Sequence, residues 1–201
     1  MRPRLVLAAV AAALILAACQ GSASPAASPS AGSGGEPSAA ASSVGALPSF
    51  VGAADLEATL PAEAAGISLR SFSMSGPDFV AGEVDQQFIT FLDSLGADIE
   101  DVAVAFAFGA NADGTQTASV FAFQVKGAQA ADLTDEFKAS AEGGGDPLVW
   151  HAETVGGKSV EVSDPNADFP TPVVLYATGE VLYFVSSTDP AALEAIVAFL
   201  P

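Results

Sequence analysis

Three stretches of the chain carry apolar residues at helical spacing. Over residues 83–95, Val84, Phe88, Phe91, Leu92 and Leu95 share one face, and Gly96 follows as a left-handed stop. Over residues 129–141, Ala130, Leu133, Phe137 and Ala141 repeat the pattern before Gly143-Gly144-Gly145. Near the C-terminus, Asp189-Pro190 opens a third helix. The carboxylate caps free N–H groups, Pro fits the first turn, and Leu193, Ile196, Val197 and Leu200 follow at core spacing. A shorter helix is predicted over residues 54–60 and is stopped by Pro61.

Strand patterns lie between these helices. Residues 102–108 alternate strictly: Val102, Val104, Phe106 and Phe108 face one way and alanines the other. Residues 119–125 place Phe121, Phe123 and Val125 on one face, and Asn111-Ala112-Asp113-Gly114 between the two strands forms a hairpin turn. Residues 173–177 and 181–186 form a tighter hairpin over Thr178-Gly179. It is apolar on both sides, the pattern of a central strand pair covered twice or of a cavity wall. Further strands are expected at residues 67–73 and 158–163, with a short one at 148–151. Hairpins followed by helices imply an α+β fold, an antiparallel sheet with helices mainly on one face.

The elements recur in order. Glu63-Ala64-Ala65-Gly66 and Glu153-Thr154-Val155-Gly156 each lead into a strand, followed by a hairpin and an amphipathic helix. A Leu-Pro pair ends both the residue 54–61 segment and the chain. This order predicts two related β-β-β-α units, residues 54–145 and 146–201, within a single domain spanning 45–201.

The N-terminus reads as an address. Arg2 and Arg4 precede an apolar run over residues 5–16, too short for a bilayer-spanning helix of about 20 residues. Small residues then surround the sole cysteine. Leu16-Ala17-Ala18-Cys19 resembles the lipobox of bacterial lipoproteins. The resemblance covers residues 1–19. It implies cleavage after a signal peptide of residues 1–18, a thioether-linked diacylglycerol on Cys19, and attachment to the cell membrane on its extracytoplasmic face. Two acyl chains hold a protein stably where one is marginal. Residues 20–44 are almost entirely Ser, Ala, Gly and Pro and serve, with Cys19, as a flexible tether of about 25–30 Å root-mean-square span.

Charge narrows the function classes. The chain has 24 acidic and 6 basic residues, a formal charge of −18. Loss of the signal peptide removes Arg2 and Arg4 and no acid, which moves the charge to −20. Nucleic acid is excluded as a partner, because counterion release needs a Lys/Arg surface. One Cys and one His supply neither a disulfide framework nor a Cys/His zinc site, and no cofactor is implied. His151 is the only histidine, no Gly-x-Ser-x-Gly elbow frames a serine, and Gly143-Gly144-Gly145 ends a helix instead of cradling phosphate. Asp164, Asn166 and Asp168 have the spacing of the first three oxygen ligands of an EF-type loop. Phe169 stands where that loop needs Gly and Leu175 where it needs an acid, so any cation site would be weak, and Asx turns account for the same residues.

The expected function is therefore a non-catalytic, lipid-anchored module of the cell envelope that binds an apolar ligand or a partner protein. Phe106, Phe108, Phe121, Phe123 and Tyr183 are the candidate contact residues. The rival readings are an envelope hydrolase using a carboxylate pair and a structural spacer lipoprotein.

Overall fold

The computed structural model describes residues 53–80, 86–142, 148–166 and 169–201. The expected signal peptide, Cys19 and the expected tether lie outside them, as do the first residues of the helix expected at 83–95, the Gly143–Gly145 triplet and Asp168. In chain order the elements are α1 (Ala54–Glu57), β1 (Glu63–Ala64), β2 (Ile67–Ser68), β3 (Arg70–Ser75), α2 (Gly76–Phe79), α3 (Gln86–Leu95) and a 3-10 turn (Ile99–Asp101). Then come β4 (Val102–Ala110), β5 (Thr117–Val125), α4 (Ala130–Glu142), β6 (Trp150–Val155), β7 (Lys158–Ser163), β8 (Val173–Thr178), β9 (Val181–Ser187) and α5 (Pro190–Phe199). Among the described residues, no helix is long and apolar enough to cross a membrane.

Seven strands form one antiparallel sheet in the order β3-β4-β5-β9-β8-β7-β6. The strict alternation of β4 and β5 fixes their register from Val102↔Val125 to Ala110↔Thr117. A one-residue slip would turn every Phe to the opposite face of its strand pairing. The strand expected at residues 67–73 is broken at Leu69. Ala65 and Gly66 take positive φ, +47° and +83°, and fold β1 against β2 as a small separate hairpin. The short strand expected at 148–151 is instead the longer β6, paired with β7 over Gly156-Gly157. The helix expected over 54–60 closes at Glu57, and a looser turn carries Leu60 into the core.

The sheet is covered on both faces, which corrects the expectation of helices mainly on one. Val102, Val104, Phe123, Val125, Leu175 and Leu182 pack with Phe88, Phe91, Leu92 and Leu133 of α3 and α4. The opposite face, with Ala105, Ala107, Ala122, Val174, Tyr183 and Val185, packs with Leu56 of α1 and with Ala192, Ile196 and Val197 of α5. The alanines of β4 are small because chain runs close over them. A Cβ on Gly109 would lie 2.0 Å from the Ser68 carbonyl oxygen, and Ala105 and Ala107 are fully buried. Strand order repeats, β3-β4-β5-α4 and β7-β8-β9-α5, but α4 and α5 lie on opposite faces. A two-fold rotation within an antiparallel sheet would keep both helices on one face.

The Asp189 cap forms as expected, its carboxylate accepting from the Ala191 N–H at 3.1 Å with Pro190 in the first turn. Asp189→Ala is expected to lower stability by about 1 kcal/mol. Urea unfolding checks this as a shift of midpoint at constant slope.

Candidate functional site

Cross-strand pairing assembles a row of phenylalanines on the α3/α4 face. Phe72 pairs with Phe106, Phe106 with Phe121 and Phe121 with Phe184, so β3, β4, β5 and β9 each contribute one ring. Ring centroids along the row are 4.9, 4.7 and 5.3 Å apart. Phe137 of α4 meets Phe184 edge-on at 4.5 Å, and Phe79 of α2 approaches Phe106 and Phe121 at 6.5 and 6.4 Å. Each aromatic pair contributes about 0.5–1.5 kcal/mol beyond the area it buries. On the far side the row continues through Leu175 of β8 to Glu161 of β7, whose carboxylate is 2.9 Å from Lys138 Nζ of α4.

Exposure rises stepwise along the strands on this face. Val102 and Val125 are buried, as are Val104, Phe123 and Leu182 in the next row. The four phenylalanines of the row are only half-buried. One step further, Phe108 is 38% exposed and stands directly across from the exposed Arg70, with Ser119 on its other side. The helices therefore cover one half of the sheet face. The phenylalanine row lies along the boundary, and Phe108 and Arg70 lie beyond it.

Four of the five residues proposed from sequence share this face. Phe106 and Phe121 belong to the row, and Phe108 is its exposed outlier. Phe123 lies one row deeper beneath Phe88 and Phe91, at 6.1 and 5.9 Å, where it serves packing. Tyr183 is on the other face, a correction that follows from the register Ala122↔Tyr183. Its hydroxyl donates to Thr59 Oγ1 at 3.1 Å, and its ring stacks near Tyr176. Phe72, Phe184 and Arg70 were missed, because only the β3–β4 and β5–β9 registers bring them to the row.

Burial raises the Tyr183 phenol above the usual tyrosine range, against the smaller opposing effect of the Thr59 hydrogen bond. A raised folded-state pKa means that the native state holds this proton more tightly than the unfolded chain. Its contribution is complete below about pH 10 and is lost as pH climbs through the folded value. Tyr183→Phe is expected to flatten this alkaline loss and to cost about 1 kcal/mol at neutral pH. Urea midpoints measured on both sides of pH 10 check both effects.

The polar candidates are engaged locally. Asn166 Oδ1 accepts from the Phe169 N–H at 2.7 Å, and the Asn166 N–H donates to the Phe169 carbonyl at 2.9 Å, which closes the loop on itself. Asp164 turns to His151 Nδ1 at 3.6 Å, while Glu153 stands 3.6 Å from Nε2. His151 is thus an exposed ring between two carboxylates, Glu153 of its own strand and Asp164 just beyond β7. In the β4–β5 turn, Thr115 donates its hydroxyl and its N–H to Asp113 at 2.7 and 3.2 Å and holds that carboxyl below the usual range. Among the described residues, no group of three or more His, Cys, Asp or Glu side chains is placed to hold a metal ion. Compared with known proteins, the chain matches no family model, no curated protein and no solved structure.

Proposed function

We propose that the chain is a lipid-anchored extracytoplasmic lipoprotein of the cell envelope, and that its domain is a non-catalytic module binding an apolar ligand or partner. The observation that carries the binding reading is the half-buried row Phe72, Phe106, Phe121 and Phe184, with Phe108 exposed beyond it. Contiguous apolar surface of this kind marks interaction sites in otherwise soluble domains. Arg70 across from Phe108 adds one cation at the open end of the row, in a chain of formal charge −18. An amphiphile with an acidic headgroup matches both features: its apolar part lies along the rings and its head against the guanidinium. The anchor rests on the lipobox resemblance at Cys19. Kinship of the two β-β-β-α halves belongs to the same proposal. Their shared strand order supports it, and the opposite placement of α4 and α5 counts against it.

Native mass spectrometry of the gently purified full chain tests the binding reading. The expected result is a non-covalent adduct that is lost on denaturation and strongly reduced in Phe106→Ser and Arg70→Gln. An adduct unchanged in both variants would overturn the assignment of the site. Labelled palmitate tests the anchor: incorporation is expected in the native chain and none in Cys19→Ser. Equal labelling of the two would sink it.

A further inference from the structure

We infer that β6 is a self-complementary sheet edge through which two copies of the chain join into one continuous sheet. β6 ends the strand order, and His151, Ala152, Glu153 and Thr154 are all exposed. Gly156 and Gly157 both have positive φ, +55° and +79°, which makes the β6–β7 connection a two-residue primed turn. Such a turn is closed by a hydrogen-bonded pair, here Val155↔Lys158. Alternation then directs the backbone groups of Val155, Glu153 and His151 towards β7. The Asp164 N–H bond to the Val149 carbonyl, at 2.9 Å, follows the same parity. The N–H and C=O groups of Trp150, Ala152 and Thr154 therefore point outwards, and no other described strand pairs with them.

This parity restricts how a second β6 can add antiparallel across a two-fold axis. Outward groups must meet outward groups, so the axis passes through a residue position and not between two. Centred on Glu153, the pairing sets two carboxylates against each other. Centred on His151, it sets two imidazoles together. Centred on Ala152, it places a methyl against a methyl and each His151 opposite Glu153 of the second copy, twice. Those His–Glu positions are non-hydrogen-bonded pairs, where side chains of opposing strands come closest. Trp150 and Thr154 then exchange backbone bonds with Thr154 and Trp150 of the second copy. Matching an imidazole, a hydrogen-bond donor, with a carboxylate acceptor thus selects one register of this edge and names its occupant as a second copy. Like charges elsewhere on the acidic surface keep the association reversible.

Disulfide trapping in the full chain tests this register. In a hydrogen-bonded pair the two Ala152 Cα atoms lie about 5.5 Å apart, inside the range of about 4.4–6.8 Å that a disulfide spans. Two Thr154 positions would be about 13 Å apart, four residues along the ladder at roughly 3.3 Å each. Ala152→Cys is expected to give covalent dimers on mild oxidation. Thr154→Cys should give no more covalent dimer than the chain without an added cysteine. Adding Glu153→Lys to Ala152→Cys should abolish the dimer band, and the further change His151→Glu should restore it with the charges exchanged. Trapping at 152 no faster than at 154, or trapping indifferent to Glu153→Lys, overturns the proposal.

Discussion

Gly156→Ala is expected to destabilise the fold by about 2–5 kcal/mol, a large share of the 5–15 kcal/mol typical of a domain. Two costs add. Gly156 sits at φ +55°, where an L side chain is strained by roughly 1–2 kcal/mol. A Cβ there would also lie 2.6 Å from the Ala198 nitrogen and 2.7 Å from the Glu194 oxygen, both backbone atoms of α5. Backbone cannot swing aside like a side-chain tip, so either the hairpin or the helix must lift, an overpacking cost of about 1–3 kcal/mol. Gly157 is the internal control. It shares the turn at φ +79°, and a Cβ there meets nothing within 4 Å. Gly157→Ala should therefore cost only the conformational part, about 1–2 kcal/mol. The gap between the two urea midpoints reads how tightly the β6–β7 turn seats on α5. Equal losses would mean that α5 does not press on the turn.

The strands were legible where the pattern is local. Period two set the facing of Phe106, Phe108, Phe121 and Phe123 correctly, and Asp189-Pro190 marked the start of α5 within one residue. What failed was whatever depends on contacts distant in sequence. In the β8–β9 hairpin, Val181, Tyr183 and Val185 are as apolar as Leu182 and Phe184, so the pattern gave no reason to choose a face. The choice is made by β5, about sixty residues away in sequence, through Ala122↔Tyr183 and Phe121↔Phe184. That pairing removes Tyr183 from the candidate site and puts Phe184 in its place. The burial of the β4 alanines is likewise not written in their own pattern. Small side chains under a closely approaching layer look, in sequence, like the less buried side of a strand. Ala105 and Ala107 are covered because α1 and the β1–β2 hairpin lie almost on the backbone, as Gly109 also requires. The polar loop at Asp164 was readable as a loop but not as a neighbour of His151, because only the β6–β7 register, His151↔Val162, brings the two together.

A sheet buried on both faces makes a prediction that a one-sided sheet would not. Leu133 of α4 and Ile196 of α5 are both fully buried, the first over Leu175 and Leu182, the second under Val174, Tyr183 and Val185. Leu133→Ala is expected to cost about 2–5 kcal/mol, the transfer free energy of the lost atoms plus the cavity they leave. Ile196→Val, which removes one methylene from the other layer, should cost about 0.5–1.5 kcal/mol. The sheet separates the two sites, and they share no side-chain partner. Their effects should therefore add to within about 0.5 kcal/mol in the double variant. Had both helices packed on one face, the cavity left at Leu133 would be open to relaxation by its neighbour, and the two losses would couple. Urea unfolding of the two single variants and the double variant measures the coupling directly. A deviation well beyond about 0.5 kcal/mol would mean that the helices share a layer. Additivity with both single losses intact would establish two independent cores, one built on phenylalanine and leucine and the other on alanine and valine, held apart by β5 and β9.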